Sequence, residues 1–216
     1  MKDADLRSWA VVRGAQTRKE ILRTSVDVAS AEGLEGLTIG RLAKELGLSK
    51  SGLFAHFGSK EELQIATIDA ARRDFVASVI DPTLDVEPGL ARLLAMMEAW
   101  IESVEHGRYR GGCFFYAASA EVDDRPGPVR DFLVKLTGSW VSQLKKELRL
   151  AVRLGELTAS TDIDLLAFQL HGSVQEANWF RRLHGDEKAF DLSRAAMHQV
   201  LRLNATEVGL AVLGDR

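Results

Sequence analysis

The sequence predicts an all-α fold. Apolar residues recur at the three- and four-residue spacing of amphipathic helices through most of the 216 residues, and this spacing places them on one helical face. Short breaks containing Gly, Pro or Asp separate these segments. No segment alternates apolar and polar residues as a half-buried strand does. We therefore expect about nine helices and no sheet.

Three short helices are predicted first, within residues 17–62. Thr17 and Glu20 have the spacing of a capping box, so a helix is expected to begin at Thr17 and to end before Gly33. The next helix begins behind Thr38, whose hydroxyl can accept a hydrogen bond from a first-turn amide. Its apolar face consists of Ile39, Leu42, Ala43 and Leu46.

A tight turn then leads into the third helix. Gly47 supplies the left-handed backbone that closes a helix, and Ser49 can cap the one that follows. The third helix should bury the apolar anchors Leu48, Leu53 and Phe57. Its opposite face presents small, polar and cationic groups, namely Ser49, Lys50, Ser51, Gly52 and His56. Such groups suit a helix that enters the major groove of DNA, although an ordinary helical hairpin in a core has a similar pattern.

The flanking residues favour the DNA-binding interpretation. Ser59 and Glu62 form a second capping box, with Lys60 in the first turn and a long amphipathic run from Leu63. Together with the helix pair, this region resembles the DNA-binding domain of the tetracycline-repressor (TetR) family. The residues that carry the resemblance are 38–43, 47–54 and 56–63.

The resemblance implies a homodimeric transcription regulator, usually a repressor, whose larger C-terminal domain dimerises and binds a small molecule. By position, Thr38, Lys50 and Lys60 would contact phosphates. The residues lying along the groove would be Ser49, Ser51, Gly52 and His56. The family most often has Tyr where this chain has Phe54, so one phosphate contact per subunit should be missing and binding should be weaker.

The charge distribution agrees with a nucleic-acid partner at one end. Residues 1–60 hold ten Lys or Arg against seven Asp or Glu, a net charge of +3, and the rest holds eighteen against twenty-four, a net charge of −6, which together give −3. The basic part contains the helix pair, as binding to a phosphate backbone requires. No apolar run suits a signal peptide or a membrane span, so a cytoplasmic protein is expected.

The remaining boundaries follow from breaks in the periodicity. Residues 1–16 are predicted to be a flexible extension, in which Arg13, or Arg18 just after it, either adds DNA contacts or has no role. The helix-turn-helix domain spans 17–62, the ligand-binding and dimerisation domain 63–208 and a tail 209–216. Helices in the larger domain are expected at 63–80, 88–107, 113–122, 128–154, 161–184 and 191–206.

The predicted helix 161–184 is apolar on two sides. One stripe holds Ile163, Leu166, Ala167, Leu170, Val174 and Ala177, and the other holds Leu165, Phe168, Trp179 and Leu183. One side should face the core and the other a second copy, giving a four-helix interface with the last helix. The predicted interface residues are Leu166, Leu170, Val174, Ala196 and Val200. The alternative is a monomer with a thick core.

A ligand pocket is expected to combine apolar walls with a few polar groups. The large or polar side chains expected in the C-terminal core are Met96, Met97, Trp100, Phe114, Phe115, Trp140, Phe168, His171, Gln175 and Trp179. From these we predict a pocket of Met97, Trp100, Phe115, Phe168, His171 and Gln175. His171 and Gln175, one turn apart, would supply its polar contacts, and plain core packing is the alternative for every member.

Motifs of enzymes and metal sites are absent from the sequence. It has no GxxxxGK[ST], GxGxxG, HExxH or GxSxG pattern, and its five His residues lack metal-binding spacing. We expect no cofactor and no metal. The single cysteine, Cys113, should be an inert buried thiol, with a redox sensor as the alternative. The competing functions are a DNA-binding regulator without an effector and a helical enzyme with a Cys113–His171 pair.

Overall fold

The computed structural model describes residues 2–214, with side chains from residue 14 onward. These residues form ten α-helices and no strand, which confirms the all-α class with one helix more than expected. The helices are α1 Lys2–Glu32, α2 Ile39–Leu46, α3 Lys50–Phe57, α4 Lys60–Phe75, α5 Leu90–Glu105, α6 Phe114–Val122, α7 Pro128–Arg153, α8 Ile163–His184, α9 Ala189–Asn204 and α10 Glu207–Leu213.

The chain divides into two compact units. The first unit contains residues 1–73 and 109–133, and the second contains residues 74–108 and 134–216. Large side chains at the centre of the first unit include Ile21, Leu34, Leu37, Leu42, Leu53, Leu63 and Ile68. Those of the second unit include Leu90, Leu93, Met96, Leu170 and Phe190. Helix α6 belongs to the first unit, where it packs against α1.

Helix α1 begins at Lys2 and not at Thr17. Thr17 therefore lies inside the helix, and the predicted capping box at this position is wrong. The residues before it include no proline, so nothing prevents the helix from continuing towards the N-terminus. Gln16 donates from Nε2 to Oε1 of Glu20 at 3.2 Å, a one-turn pair on the helix surface. The predicted extension thus has a helical backbone from Lys2, and the side chain of Arg13 lies outside the described residues.

Helix α4 continues into a π-helical turn at Val76–Ile80 and a 3-10 turn at Asp81–Thr83. The predicted helix at 63–80 therefore has the expected extent, but its last turn is wider than an α-helix. Pro82 lacks the amide hydrogen that would extend the helix. The hydroxyl of Thr83 donates to the Ile80 carbonyl at 2.8 Å and satisfies one of the carbonyls left at this end.

Helix α10 is the element that the sequence analysis missed. Helix α9 ends at Asn204, and Ala205 forms an isolated antiparallel bridge with Leu157. Thr206, predicted to end a helix, instead starts α10, because its Oγ1 accepts the Gly209 amide at 3.2 Å. The seven-residue helix is too short to show a clear period and depends on tertiary contacts such as buried Leu213. The predicted tail is therefore helical through Leu213.

Candidate nucleic-acid interface

The turn between α2 and α3 has the predicted local geometry. Thr38 Oγ1 accepts the Arg41 amide at 3.1 Å and caps α2. Gly47 then takes the left-handed conformation, with φ of 65°, which an L side chain would adopt only with strain. Ser49 Oγ accepts the Gly52 amide at 3.0 Å and caps α3. These interactions fix where one helix ends and the next begins.

Helix α3 exposes most of the side chains that the sequence assigns to DNA. Leu53 and Phe57 anchor it in the core of the first unit, whereas Leu48, predicted as a third anchor, is 37% exposed because it lies in the turn before the helix. The predicted contact residues that are exposed are Thr38, Ser49, Lys50, Ser51, Gly52 and Phe54. His56 and Lys60 are half-buried.

Arg18 holds the end of α3 from helix α1. Its Nη1 donates to the His56 carbonyl at 3.1 Å, and its guanidinium carbon lies 4.4 Å from the centre of the Phe57 ring. The cation thus pairs with a carbonyl at the negative end of the helix and stacks on an aromatic face. In this structure Arg18 positions α3, whereas the sequence analysis considered it only as a possible DNA contact.

Lys60 differs from Lys50 in having a protein partner. Its Nζ lies 2.6 Å from the Glu35 carboxylate and donates to the Glu35 carbonyl at 3.2 Å. The hydrogen bond and the positive charge lower the pKa of Glu35. Lys50 is exposed and forms no ion pair with any residue that the structure describes. Of these two predicted phosphate ligands, Lys50 is therefore the unengaged cation.

The connection between α1 and α2 is tied to two other helices of the first unit. Glu121 of α6 accepts the amides of Leu34 and Glu35 at 2.5 and 2.7 Å. Gln64 of α4 donates to the Leu34 carbonyl at 2.9 Å. Together with the Lys60–Glu35 pair, these bonds couple the starts of α2 and α4 to α6. The sequence analysis missed Glu121, because a carboxylate 87 positions from its amide partner has no local signature.

The segment before α6 is also bound closely to α1. Arg110 donates from its backbone amide and its Nε to the Asp27 carboxylate, at 3.0 and 2.5 Å. The amide of Gly111 donates to Ser30 Oγ at 3.0 Å. A Cβ on Gly111 would lie 1.7 Å from the Ser30 carbonyl oxygen, so only glycine allows this approach. Helix α6 is therefore held to the helix-turn-helix side of the fold from both of its ends.

A cluster of aromatic rings lies in the second unit. The Trp100 ring centre is 5.4 Å from that of Trp140 and 5.2 Å from that of His171. Phe75, at the end of α4, lies edge-on to Trp140 at 4.9 Å. We call Phe75, Trp100, Trp140 and His171 the aromatic cluster. Burial lowers the pKa of His171, so its imidazole is neutral near pH 7.

The structure brings together only part of the predicted pocket. Trp100 and His171 belong to the aromatic cluster, with Gln175 one turn beyond His171 on α8, and Met97 is buried one turn before Trp100 on α5. Phe115 belongs to the first unit, and Phe168 is 76% exposed, so neither is part of this cluster. Trp140, which sequence reasoning placed only in the wider core set, takes a central position instead.

The exposed apolar face of α8 and α9 differs from the predicted interface. Leu166, Leu170 and Val174 are buried inside the second unit, Ala196 is exposed and Val200 is half-buried. The most exposed large apolar residues of each helix share a face, because their separations of 3 and 18 residues on α8 and 11 residues on α9 are close to whole numbers of helical turns. We call them the α8–α9 surface, and they are Leu165, Phe168, Leu183, Leu192 and Leu203.

Other candidate sites receive little support from the residues that the structure describes. No group of three His, Cys, Asp or Glu side chains among them has the arrangement of a metal site. Cys113 is buried directly before α6. None of the described helices is both long enough and apolar enough to cross a membrane.

The chain matches two family models. Residues 21–67 match the bacterial regulatory proteins of the tetR family, and residues 89–197, slightly more than half of the chain, match the tetracyclin repressor-like C-terminal domain. The chain belongs to the TetR family. The resemblance seen in residues 38–63 is therefore confirmed, and this TetR-family chain is a DNA-binding transcription regulator and not an enzyme.

Relatives of this TetR-family chain carry matching descriptions. The HTH-type transcriptional regulator TcmR of Streptomyces glaucescens is 24% identical over 193 residues, which cover 82% of this chain and 79% of TcmR. The HTH-type transcriptional repressor AcnR of Corynebacterium glutamicum is 41% identical over 64 residues, 29% of this chain and 34% of AcnR.

Solved structures of the family show the same fold. A TetR transcriptional regulator from Chloroflexus aurantiacus has a TM-score of 0.80 at 19% identity, and the match covers 89% of this chain and 98% of that one. AibR, solved in complex with isovaleryl coenzyme A and operator DNA, has a TM-score of 0.70 at 22% identity, covering 84% and 97%.

Proposed function

We propose that this chain is a homodimeric repressor that binds a pseudo-palindromic operator and leaves it when a small molecule binds to the second unit. The observation that carries the proposal is the exposed start of α3, where capped, small and cationic residues face solvent and Lys50 has no ion-pair partner among the described residues. A helix end of this composition fits between the walls of the major groove, and Lys50 supplies the charge that a phosphate attracts.

The remaining predicted contacts take distinct roles in this proposal. Ser49, Ser51, Gly52 and His56 lie along the groove, and Thr38 and Lys60 contact phosphates beside Lys50. Lys60 would exchange part of its interaction with Glu35 for the phosphate, because both partners compete for the same ammonium group. The exposed ring of Phe54 would lie against the sugar-phosphate backbone without a hydrogen bond.

Helix α4 connects the DNA-binding helices with the aromatic cluster. It starts at Lys60, which is paired with Glu35, and ends at Phe75, which contacts Trp140 in the aromatic cluster. A ligand that moves Phe75 would therefore displace α4. Only two residues separate the start of α4 from the end of α3, so the displacement would reach the DNA-binding helix. The relative AibR, solved with both an acyl-coenzyme A and operator DNA, supports the combination of the two activities in one fold.

The α8–α9 surface is the proposed dimer interface. Phe168 and Leu203 are 76% and 78% exposed, which is costly in water for side chains of this size. A two-fold axis would cover both copies of the same patch and would present two α3 helices to one DNA molecule. Palindromic half-sites about one helical turn apart suit such a dimer.

Operator binding by matched lysine variants tests the proposal. DNA selected from genomic fragments by the purified protein, including its own upstream region, would provide the operator. Lys50→Ala should weaken binding about tenfold at constant salt, because each subunit loses a phosphate contact. Lys188→Ala removes another exposed lysine, from the second unit, and should bind as the wild type does. Fluorescence anisotropy would measure both, and equal affinity of the two variants would contradict the proposal.

A further inference from the structure

Two buried polar atoms in the second unit have no hydrogen-bond partner among the described residues. They are the indole Nε1 of Trp140, which can only donate, and the amide Oε1 of Gln175, which can only accept. Folded proteins pair nearly all of their buried polar atoms, because an unpaired one has lost its water without compensation. Two such atoms in one unit offer a donor and an acceptor with which a bound molecule can form hydrogen bonds.

Both atoms are associated with the aromatic cluster. Trp140 is itself a member, in edge contact with Phe75 and Trp100 at 4.9 and 5.4 Å. Gln175 lies four residues after His171 on α8, and this spacing places the two side chains on one face of the helix. His171 in turn lies 5.2 Å from Trp100. The unpaired donor thus belongs to the cluster, and the unpaired acceptor lies one helical turn from its member His171.

The aromatic cluster and Gln175 carry no net charge near pH 7. His171 is the only ionisable group of the set. Burial lowers its pKa, so the imidazole is neutral near pH 7. A carboxylate, a phosphate or an ammonium group would lose its hydration at this place without meeting an opposite charge. An uncharged molecule with a flat ring avoids this cost and can pack against the indoles.

We infer that the effector is a neutral aromatic molecule with both a hydrogen-bond acceptor, for Trp140 Nε1, and a donor, for Gln175 Oε1. A phenol that also carries an ester or ketone is the simplest member of this class. The inference rests on the proposed function, in that it defines the ligand of the second unit. It predicts that anionic molecules bind weakly at the aromatic cluster.

Three probes of similar size separate the contributions of charge and hydrogen bonding. Methyl 4-hydroxybenzoate has the ring, the donor and the acceptor without a charge. The 4-hydroxybenzoate anion adds the charge, and p-xylene lacks both hydrogen-bonding groups. Calorimetric titration of the full chain at millimolar probe should show binding of the ester at least tenfold tighter than that of either other probe, and the ester should raise Tm the most.

Variants that remove each polar atom test its role directly. Trp140→Phe and Gln175→Leu replace each polar side chain with an apolar side chain of the nearest shape. Each variant should weaken ester binding about tenfold. Neither should lower the Tm of the unliganded protein much, because the removed atom had no partner. Trp179→Phe changes a tryptophan of the same helix as Gln175 that is partly exposed, and it should leave ester binding unchanged.

The outcomes separate this inference from the proposed function. The inference is overturned if the anion binds as tightly as the ester, if no probe binds, or if both Trp140→Phe and Gln175→Leu bind the ester as the wild type does. Operator affinity is measured on the same samples without probe. A wild type that binds the ester but no operator would contradict the proposed function and leave the ligand class supported.

Discussion

At the scale of single residues, the DNA-binding face combines charge, small size and one exposed ring. Lys50 is an exposed cation, and Ser51 and Gly52 beside it let the helix backbone approach DNA closely. Phe54 is 50% exposed on the same helix and presents an apolar ring where the family most often has Tyr. Its position predicts contact with DNA but no hydrogen bond to it.

Replacement of Phe54 by Tyr should therefore strengthen operator binding. The added hydroxyl can donate to a phosphate oxygen, and a hydrogen bond of this kind contributes about 1 kcal/mol for each subunit. Two such bonds for each dimer amount to about 2 kcal/mol, so we expect a Kd lower by about 30-fold in anisotropy titrations. Phe180→Tyr adds the same hydroxyl to an exposed ring of the second unit and serves as the control. An unchanged Kd for Phe54→Tyr would show that this position does not touch the backbone of DNA.

His171 predicts a pH dependence of stability. Because burial lowers its pKa below the ordinary 6.5, the unfolded chain takes up a proton more readily than the folded chain. The contribution of the neutral His171 to the free energy of unfolding is fully present above pH 6.5. It is lost as the pH falls from 6.5 towards the lowered pKa of the folded state. When the pH is lowered from 8 to 5, the Tm of the wild type should fall further than the Tm of His171→Gln. His106→Gln, at an exposed histidine of the second unit, should behave as the wild type.

At the scale of elements, α6 is part of the scaffold that positions the recognition helix. Glu121 accepts two amides of the α1–α2 connection, and the same connection holds Lys60 and Gln64 of α4. Arg110 and Gly111 tie the segment before α6 to α1. A change in α6 would therefore reach both helices that flank the helix-turn-helix.

Glu121→Gln tests this role with a side chain of the same size. The amide nitrogen cannot accept a hydrogen bond, so one of the two amides of Leu34 and Glu35 loses its partner, which costs about 1–2 kcal/mol. Hydrogen exchange at these two amides should become faster, and operator affinity should fall several-fold. Glu102→Gln, at an exposed position of α5, is the control. Unchanged exchange at both amides would contradict the scaffold role.

The elements also show which features the sequence made predictable. The caps at Thr38 and Ser49 and the Gly47 turn involve partners within a few residues, so their spacing alone predicted them. The start of α1 was misplaced, because a capping box also fits the interior of a longer helix. Leu166 and Phe168 of α8 are both apolar, and only packing against the rest of the second unit decides which one is buried. The Glu121 contacts have no local pattern at all.

At the scale of the whole molecule, the proposal requires two copies of the chain on one operator. The α8–α9 surface offers an exposed apolar patch for this purpose, whereas the predicted interface residues Leu166, Leu170 and Val174 are buried in each copy. Burial of apolar area contributes about 25 cal/mol for each Å² removed from water, and the entropy lost on association offsets part of this gain. Phe168, the aromatic residue of this surface, is 76% exposed and should make a large contribution.

Phe168→Glu should convert the dimer into a monomer. Each copy of the variant places one carboxylate in the proposed interface. The two like charges would repel each other, and both would lose their hydration on dimerisation. Light scattering after size-exclusion chromatography should show half the mass of the wild type at micromolar concentration, together with weaker operator binding. Leu84→Glu adds the same charge at a leucine of the second unit that is 53% exposed, and this variant should remain dimeric. A dimeric Phe168→Glu variant would place the interface elsewhere.

The salt dependence of operator binding tests the central claim most directly. A dimer that inserts two basic helix ends into DNA releases counterions from several phosphates, so the logarithm of its binding constant should fall linearly with the logarithm of salt concentration, with a slope of about −0.9 for each contact. We predict a slope of about −4 or steeper and a stoichiometry of two chains per operator. A flat salt response, or equal binding to unrelated DNA, would contradict the account.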